Sequence, residues 1–243
     1  MLHDGSGMGA LAGTMAVLMA AQGFTGAPAI TAEGEDAAPF WADLGQDWTI
    51  ERNYIKPYPI CRWAHGALEA LEQLIAAHDL RPDRIARVEV ATFANSAALY
   101  RGVPESSAVA QYALTFPLAV LLVHRAIGPD HVSGEGLRDP AVLALMPRIH
   151  IREEPRHTDR YPAGRWSDVT VTLDDGTVVQ SGDCNARGGP EAPLTLDQVE
   201  AKFRVMTAHL SPERRDALWA MRARLLQPEA RFAELADLVG PAA

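Results

Sequence analysis

Cysteine is nearly absent: Cys61 and Cys184 are the only two thiols in 243 residues. Two isolated cysteines give neither a disulfide framework nor a metal-ligand spacing, and a reducing cytoplasm is the expected setting. Basic residues are also short, 22 Lys and Arg against 31 Asp and Glu, a formal charge of -9. No basic face is visible, so general nucleic-acid affinity is not expected. A local cluster of cations can still bind a small anion against that global sign. No Lys or Arg precedes Arg52, and Asp4 stands where a secretory leader would carry positive charge. The apolar runs Met8–Ala21 and Tyr112–Val123 fall short of the roughly 20 residues that cross a bilayer. Internal repeats and low-complexity tracts are missing too, so a soluble chain without nucleic-acid or membrane partners is expected.

What is present reads as helix, then a mixed middle, then helices. Residues 6–22 form an apolar helix with small residues on several sides (Gly9, Ala10, Gly13, Ala16, Ala20), a pattern that lets neighbours approach closely. Residues 24–47 read as loop and short helix anchored by Phe40 and Trp41. Trp48 to Ile55 alternates well enough for a strand. A helix is expected from Trp63 to His78 on the stripe Ala64, Ala67, Leu68, Leu71, Leu74 and Ile75. Val88 and Val90 mark a strand over 85–92. Ser107 caps a long apolar helix to about Ile127, kinked or broken at Pro117 and stopped by Gly128. A short helix over 137–145 and a strand over 148–152 follow. Val169, Val171, Leu173, Asp175-Gly176, Val178 and Val179 spell a hairpin with a two-residue turn. Thr195 with Gln198 forms a capping box, and Pro212 and Pro228 each sit at an expected helix start. The fold class is α+β, with domains expected at 1–47 (helical), 48–190 (α+β) and 191–243 (helical).

One stretch concentrates chemistry. Lys56-Pro57-Tyr58-Pro59-Ile60-Cys61-Arg62-Trp63-Ala64-His65 packs two cations, a thiol and an imidazole around two prolines, just before a helix. Stiffened backbone plus convergent cations suits a carboxylate. Lys56 and Arg62 are the candidate anchors, Arg62 able to grip a carboxylate bidentately. His65, in the first helical turn, meets the positive end of the dipole, which favours a neutral imidazole able to act as a base or hydrogen-bond donor. Its place near a helix end suggests that His65→Ala leaves the fold intact. Cys61 reads as a small buried hydrophobe and His3 as a helix-capping group. His124, His150, His157 and His209 have no partners by spacing, and no cluster of residues suggests a metal or a cofactor.

Several segments together resemble the MmgE/PrpD family, whose members include 2-methylcitrate dehydratase, cis-aconitate decarboxylase and iminodisuccinate epimerase. Leu2-His3-Asp4-Gly5 to Gly9 with Ala20-Ala21-Gln22-Gly23-Phe24-Thr25-Gly26 is similar to one family segment, and Lys56-Pro-Tyr-Pro to His65 to another. Asp174-Asp175-Gly176, Gly188-Gly189-Pro190, Pro193-Leu194-Thr195 and Lys202-Phe203-Arg204 follow in the family's order. The resemblance implies an all-helical domain with an α+β lid inserted, frequent dimerisation, and cofactor-independent lyase chemistry on a small di- or tricarboxylate. Dehydration or decarboxylation would start with proton abstraction next to a carboxylate; epimerisation is the close variant, and a non-catalytic remnant the alternative. It further implies His65 and Lys56 as catalytic residues and Arg62, Cys61 and His3 as substrate contacts, with a histidine standing at the Cys61 position in some relatives. An N-terminal half of the family, which supplies further active-site groups, has no counterpart in this sequence. A homo-oligomer or a companion chain is therefore expected, with apolar faces exposed on the helices at 6–22 and 195–239. The long helix departs from the family, carrying Ala113 and Phe116 where relatives often have Ser and Tyr.

Overall fold

The computed structural model describes residues 6–240 and divides into two separately compact units, one ending at Asn53 and the other beginning at Tyr54. His3 lies outside the described residues. In the first unit, α1 (Ser6–Ala21) and a single turn, α2 (Ile30–Glu33), are the helices. Met8, Leu11, Met15, Val17, Leu18 and Met19 of α1 are all exposed, as expected of this helix. Phe40 and Trp41 do not act as anchors: both are exposed, and the Trp41 indole N–H donates to the Ala32 carbonyl at 2.9 Å. The expected strand over 48–55 is instead a 3-10 turn, Thr49–Arg52, followed by extended chain. Its alternation finds no ladder, and without a partner strand its backbone groups cannot be satisfied as a sheet.

The second unit is built on a sheet of order β2-β1-β3-β4. After α3 (His65–Ala77) comes β1 (Ile85–Thr92), then α4 (Ala94–Ala97), α5 (Ser107–Gln111), α6 (Thr115–His124) and α7 (Pro140–Leu145). The strand β2 (Ile149–Glu153), the turn α8 (Pro155–Thr158), and β3 (Trp166–Leu173), β4 (Val178–Gln180) and β5 (Cys184–Asn185) complete the mixed region. The chain closes with α9 (Leu196–Met206), α10 (Pro212–Arg224) and α11 (Phe232–Val239). Central β1 runs parallel to β2, with Val88 opposite Ile149, and antiparallel to β3, with Val88 opposite Val171.

Strand alternation separates two faces. Val88, Val90, Val169 and Val171 point to the buried side, where α3 and α6 pack with Leu68, Leu71, Phe116, Leu118 and Leu122 fully enclosed. Each such side chain contributes about 1.5–3 kcal/mol on burial. Glu89, Ala91, Asp168 and Thr170 face a shallow polar depression of about 270 Å³ on the other side. No helix among the described residues is long and apolar enough to cross a membrane.

The expected long helix is two helices. The break comes at 112–114, well before Pro117, because Tyr100 pairs there like a strand: its N–H donates to the Tyr112 carbonyl and its carbonyl accepts from Leu114 N–H, at 3.0 and 2.8 Å. Pro117 sits in the first turn of α6, where no intrahelical N–H is needed. Ser106 rather than Ser107 caps α5, and Arg125, at φ 60°, ends α6 before Gly128. The hairpin turn has three residues, since Leu173 N–H bonds the Thr177 carbonyl, leaving Asp174, Asp175 and Gly176 in the loop. Gly176 takes φ 84°, the left-handed geometry such loops require. Pro228 starts no helix; α11 begins at Phe232. The Thr195–Gln198 capping box and Pro212 at the start of α10 are as expected.

Candidate active-site segment

The segment 56–65 is clamped from three sides. Ile55 N–H donates to the Gly188 carbonyl at 2.8 Å, and Cys61 N–H to the Gln111 carbonyl at 2.7 Å. Gly188 holds φ 95°, and a Cβ there would meet the Ile55 carbonyl oxygen at 2.1 Å. The Lys202 ammonium of α9 donates to the Lys56 carbonyl at 2.6 Å. Two prolines supply the remaining stiffness.

Lys56 is exposed, and neither it nor Lys202 has a carboxylate within 4.0 Å among the described residues. Partial burial and the neighbouring Lys56 charge pull the Lys202 ammonium below its ordinary pKa. Two like charges that repel each other, neither with a counter-charge within 4.0 Å among the described residues, raise the local affinity for an anion.

Arg62 is buried, and its guanidinium is turned inward. It donates to the Arg187 carbonyl at 3.0 Å and the Ala186 carbonyl at 3.4 Å, and lies 3.8 Å from the centre of the Tyr54 ring. Burial, then Arg165, lowers its pKa. In this arrangement Arg62 holds the 186–188 loop against the segment. The Cys61 side chain is half-buried beside it.

His65 is fully buried, edge-on to Tyr58 with ring centroids 5.2 Å apart. Nε2–H points at the Ile60 carbonyl at 3.3 Å, while Nδ1 is enclosed without a hydrogen-bond partner. Burial above all, with Arg62, Lys56 and Lys202 adding repulsion, lowers its pKa to about 3. The neutral imidazole expected from its helical position is therefore present, but burial rather than the dipole is the main cause. A base working at neutral pH needs a pKa near that pH, and the lowered value at His65 lies far from it.

That burial also reverses the expectation for substitution. His65→Ala is expected to lower unfolding stability by about 2 kcal/mol, through the cavity left beside Tyr58. A group whose folded pKa is depressed stabilises above its unfolded pKa, near 6.5, and that contribution is lost as pH falls through the folded value. The loss between pH 6.5 and 4 should therefore be shallower in the variant. Denaturant midpoints measured across that range check both points; identical profiles would refute them.

Sequence reading missed Glu69 and Arg187. Glu69 lies one turn after His65 on α3 and is buried; Arg187 bonds it at 2.8 Å and bonds Glu72 at 2.7 Å. Tyr58 O–H donates to Glu72 at 3.1 Å, and burial first, then Glu69 and Glu72, pushes its pKa up. The spacing of His65 and Glu69 was visible, but Arg187 is too distant in sequence to leave a local signal.

His157 also has partners. It is fully buried, 2.8 Å from Asp168, and with Asp183 the three bring potential ligand atoms within 4.8 Å of one another. Arg156 bonds both carboxylates and Arg160 bonds Asp183 at 2.8 Å, so guanidinium groups already balance their charge.

Beside the proline segment lies a cleft of about 470 Å³. Pro57, Tyr58 and Pro59 line it together with Ile127, His131, Leu194, Gln198, Ala201, Lys202, Val205 and Met206. It falls in the size range of small-molecule sites.

No curated protein matches the chain. The MmgE/PrpD C-terminal domain matches residues 58–226, well over half of the sequence and nearly all of the segment, clamp and cleft described above. The chain belongs to the MmgE/PrpD family.

Proposed function

We propose that this chain supplies part of a cofactor-independent lyase site for a small di- or tricarboxylate, a dehydratase or a decarboxylase. The observation that carries this reading is the uncompensated pair Lys56 and Lys202 at a proline-stiffened segment of a family member. Lys56 would hold a substrate carboxylate, so that a proton on the adjoining carbon becomes more acidic. Water or carbon dioxide would then leave. His65 keeps Lys56 in place through the Ile60 and Tyr58 contacts, and Arg62 does so through the 186–188 loop.

With its pKa lowered to about 3, His65 does not suit proton abstraction near pH 7 in this conformation. The base would then come from the family's N-terminal half or from a second copy. The exposed apolar residues of α1, and Leu196, Val205, Phe232 and Val239 of the C-terminal helices, favour such a partner. Epimerisation would use the same anchoring with return of the proton to the opposite face. The burial of His65 favours one rival reading, a subunit that keeps the fold and has lost turnover.

Proton NMR in deuterated water with a panel of di- and tricarboxylates separates these readings. Deuterium uptake or product is expected only when the companion half is added, and Lys56→Met should reduce it by at least a hundredfold. That loss corresponds to about 3 kcal/mol of lost transition-state binding. Silence with the companion present would reject the lyase reading in favour of the remnant.

A further inference from the structure

The cleft beside α9 has a chemistry of its own. Its walls are mostly hydrocarbon: Pro57, Ile127, Leu194, Val205 and Met206. A citrate-like ligand would have to press a second or third carboxylate against those side chains, which costs several kcal/mol per unpaired charge. Several polar groups on the wall are already engaged with protein partners. Tyr58 O–H and Arg187 are bound to the Glu72 carboxylate, which also lines the cleft, Arg187 is further bound to Glu69, and Arg125 donates to the Leu80 carbonyl.

Three further donors line the cleft. Lys202 uses one N–H on the Lys56 carbonyl and has no acidic partner among the described residues. His131 Nδ1 accepts from Gly128 N–H at 2.9 Å, so in its neutral form the proton sits on Nε2. The Gln198 oxygen accepts from Thr195 N–H at 2.9 Å, which leaves its amide N–H₂ available. One ammonium and two neutral donors on an apolar wall match a single carboxylate attached to a hydrocarbon chain.

We infer that this cleft binds a monocarboxylate bearing an alkyl chain, its head on Lys202 and its chain against Pro57, Ile127, Leu194 and Val205. The inference does not depend on the lyase reading, because it concerns binding at equilibrium and uses no proton-transfer group.

Titration calorimetry of the full chain with octanoate, succinate and octylammonium tests it. Octanoate is expected to bind at least tenfold more tightly than either comparator. Lys202→Gln should weaken octanoate about tenfold or more, the loss of one charge-assisted contact. Ala201→Trp, on an exposed face of α9 that lines the cleft, should abolish binding by filling it. Equal affinity for octylammonium would reduce the cleft to a greasy surface and overturn the proposal. Succinate binding as tightly as octanoate would overturn it in favour of a general anion site, and so would any absence of octanoate binding. Should Lys202→Gln also lower the thermal midpoint, Ala201→Trp decides: unchanged octanoate affinity in that variant rejects the site.

Discussion

Arg187→Met is expected to destabilise the folded chain by about 3–5 kcal/mol, the usual consequence of stranding a buried charge. Glu69 is 6% exposed, and Arg187 is its cationic partner at 2.8 Å. Burial, opposed by Arg187, holds the Glu69 carboxyl above its ordinary range. Without the guanidinium only the burial remains, and the carboxyl rises further. An acid whose folded pKa exceeds its unfolded one favours the folded state below the unfolded value. That advantage disappears as pH climbs through the folded value. The deficit of Arg187→Met should therefore be largest near pH 8 and shrink toward pH 5. Chemical unfolding of both proteins at the two pH values measures it. Equal deficits at both would mean that Glu69 is not the group left behind.

Gly66→Ala should cost about 3 kcal/mol by overpacking, in a helix where alanine is otherwise the better residue. A Cβ at Gly66 would stand 2.2 Å from the Arg165 carbonyl oxygen and 3.1 Å from Ser167 Oγ. Ser167 is itself buried and hydrogen-bonded to Thr92 at 2.7 Å, across the β1–β3 pair. A backbone carbonyl cannot swing aside as a side-chain tip can, so α3 must lift from β3 and carry His65 with it. Gly13 of α1 makes the contrast: nothing lies within 4 Å of a Cβ there, and alanine should stabilise it by about 0.5–1 kcal/mol. Thermal unfolding of the two variants compares them directly. A Gly66→Ala protein as stable as its parent would mean that the helix and strand are not in such close contact.

Much of the fold was legible because its signals were local. The α3 stripe, the Val88–Val90 and Val169–Val171 alternations, and the Thr195 box each specify an element within a few residues. The strand expected at 48–55 shows the limit of such signals. Alternation states that a strand is compatible with the side chains, but a strand exists only if another backbone completes its ladder. The break at Tyr112 was hidden for the same reason, since its cause lies at Tyr100. At the candidate site, the sequence displayed the segment's chemistry but not the orientation of its side chains. Arg62 and His65 both turn inward, held by Ala186, Arg187 and Ile60 carbonyls that carry no side-chain signature. Lys202 was visible only as part of a family-like triplet, because its tie is to a backbone oxygen 146 residues away.

The position of β1 at the centre of the sheet has a kinetic consequence. Its two neighbours, β2 and β3, both come much later in the chain, and α3 packs on β3 and β5 as well as on α6. During synthesis, the β3-facing edge of β1 and the part of α3 that packs on β3 and β5 must wait until residues near Cys184 have left the ribosome. Such long-range closure slows folding and prolongs the lifetime of sticky intermediates. Yield of this protein should therefore respond to slower translation at low temperature and to chaperones that shield nascent chains, more than to changes at its surface.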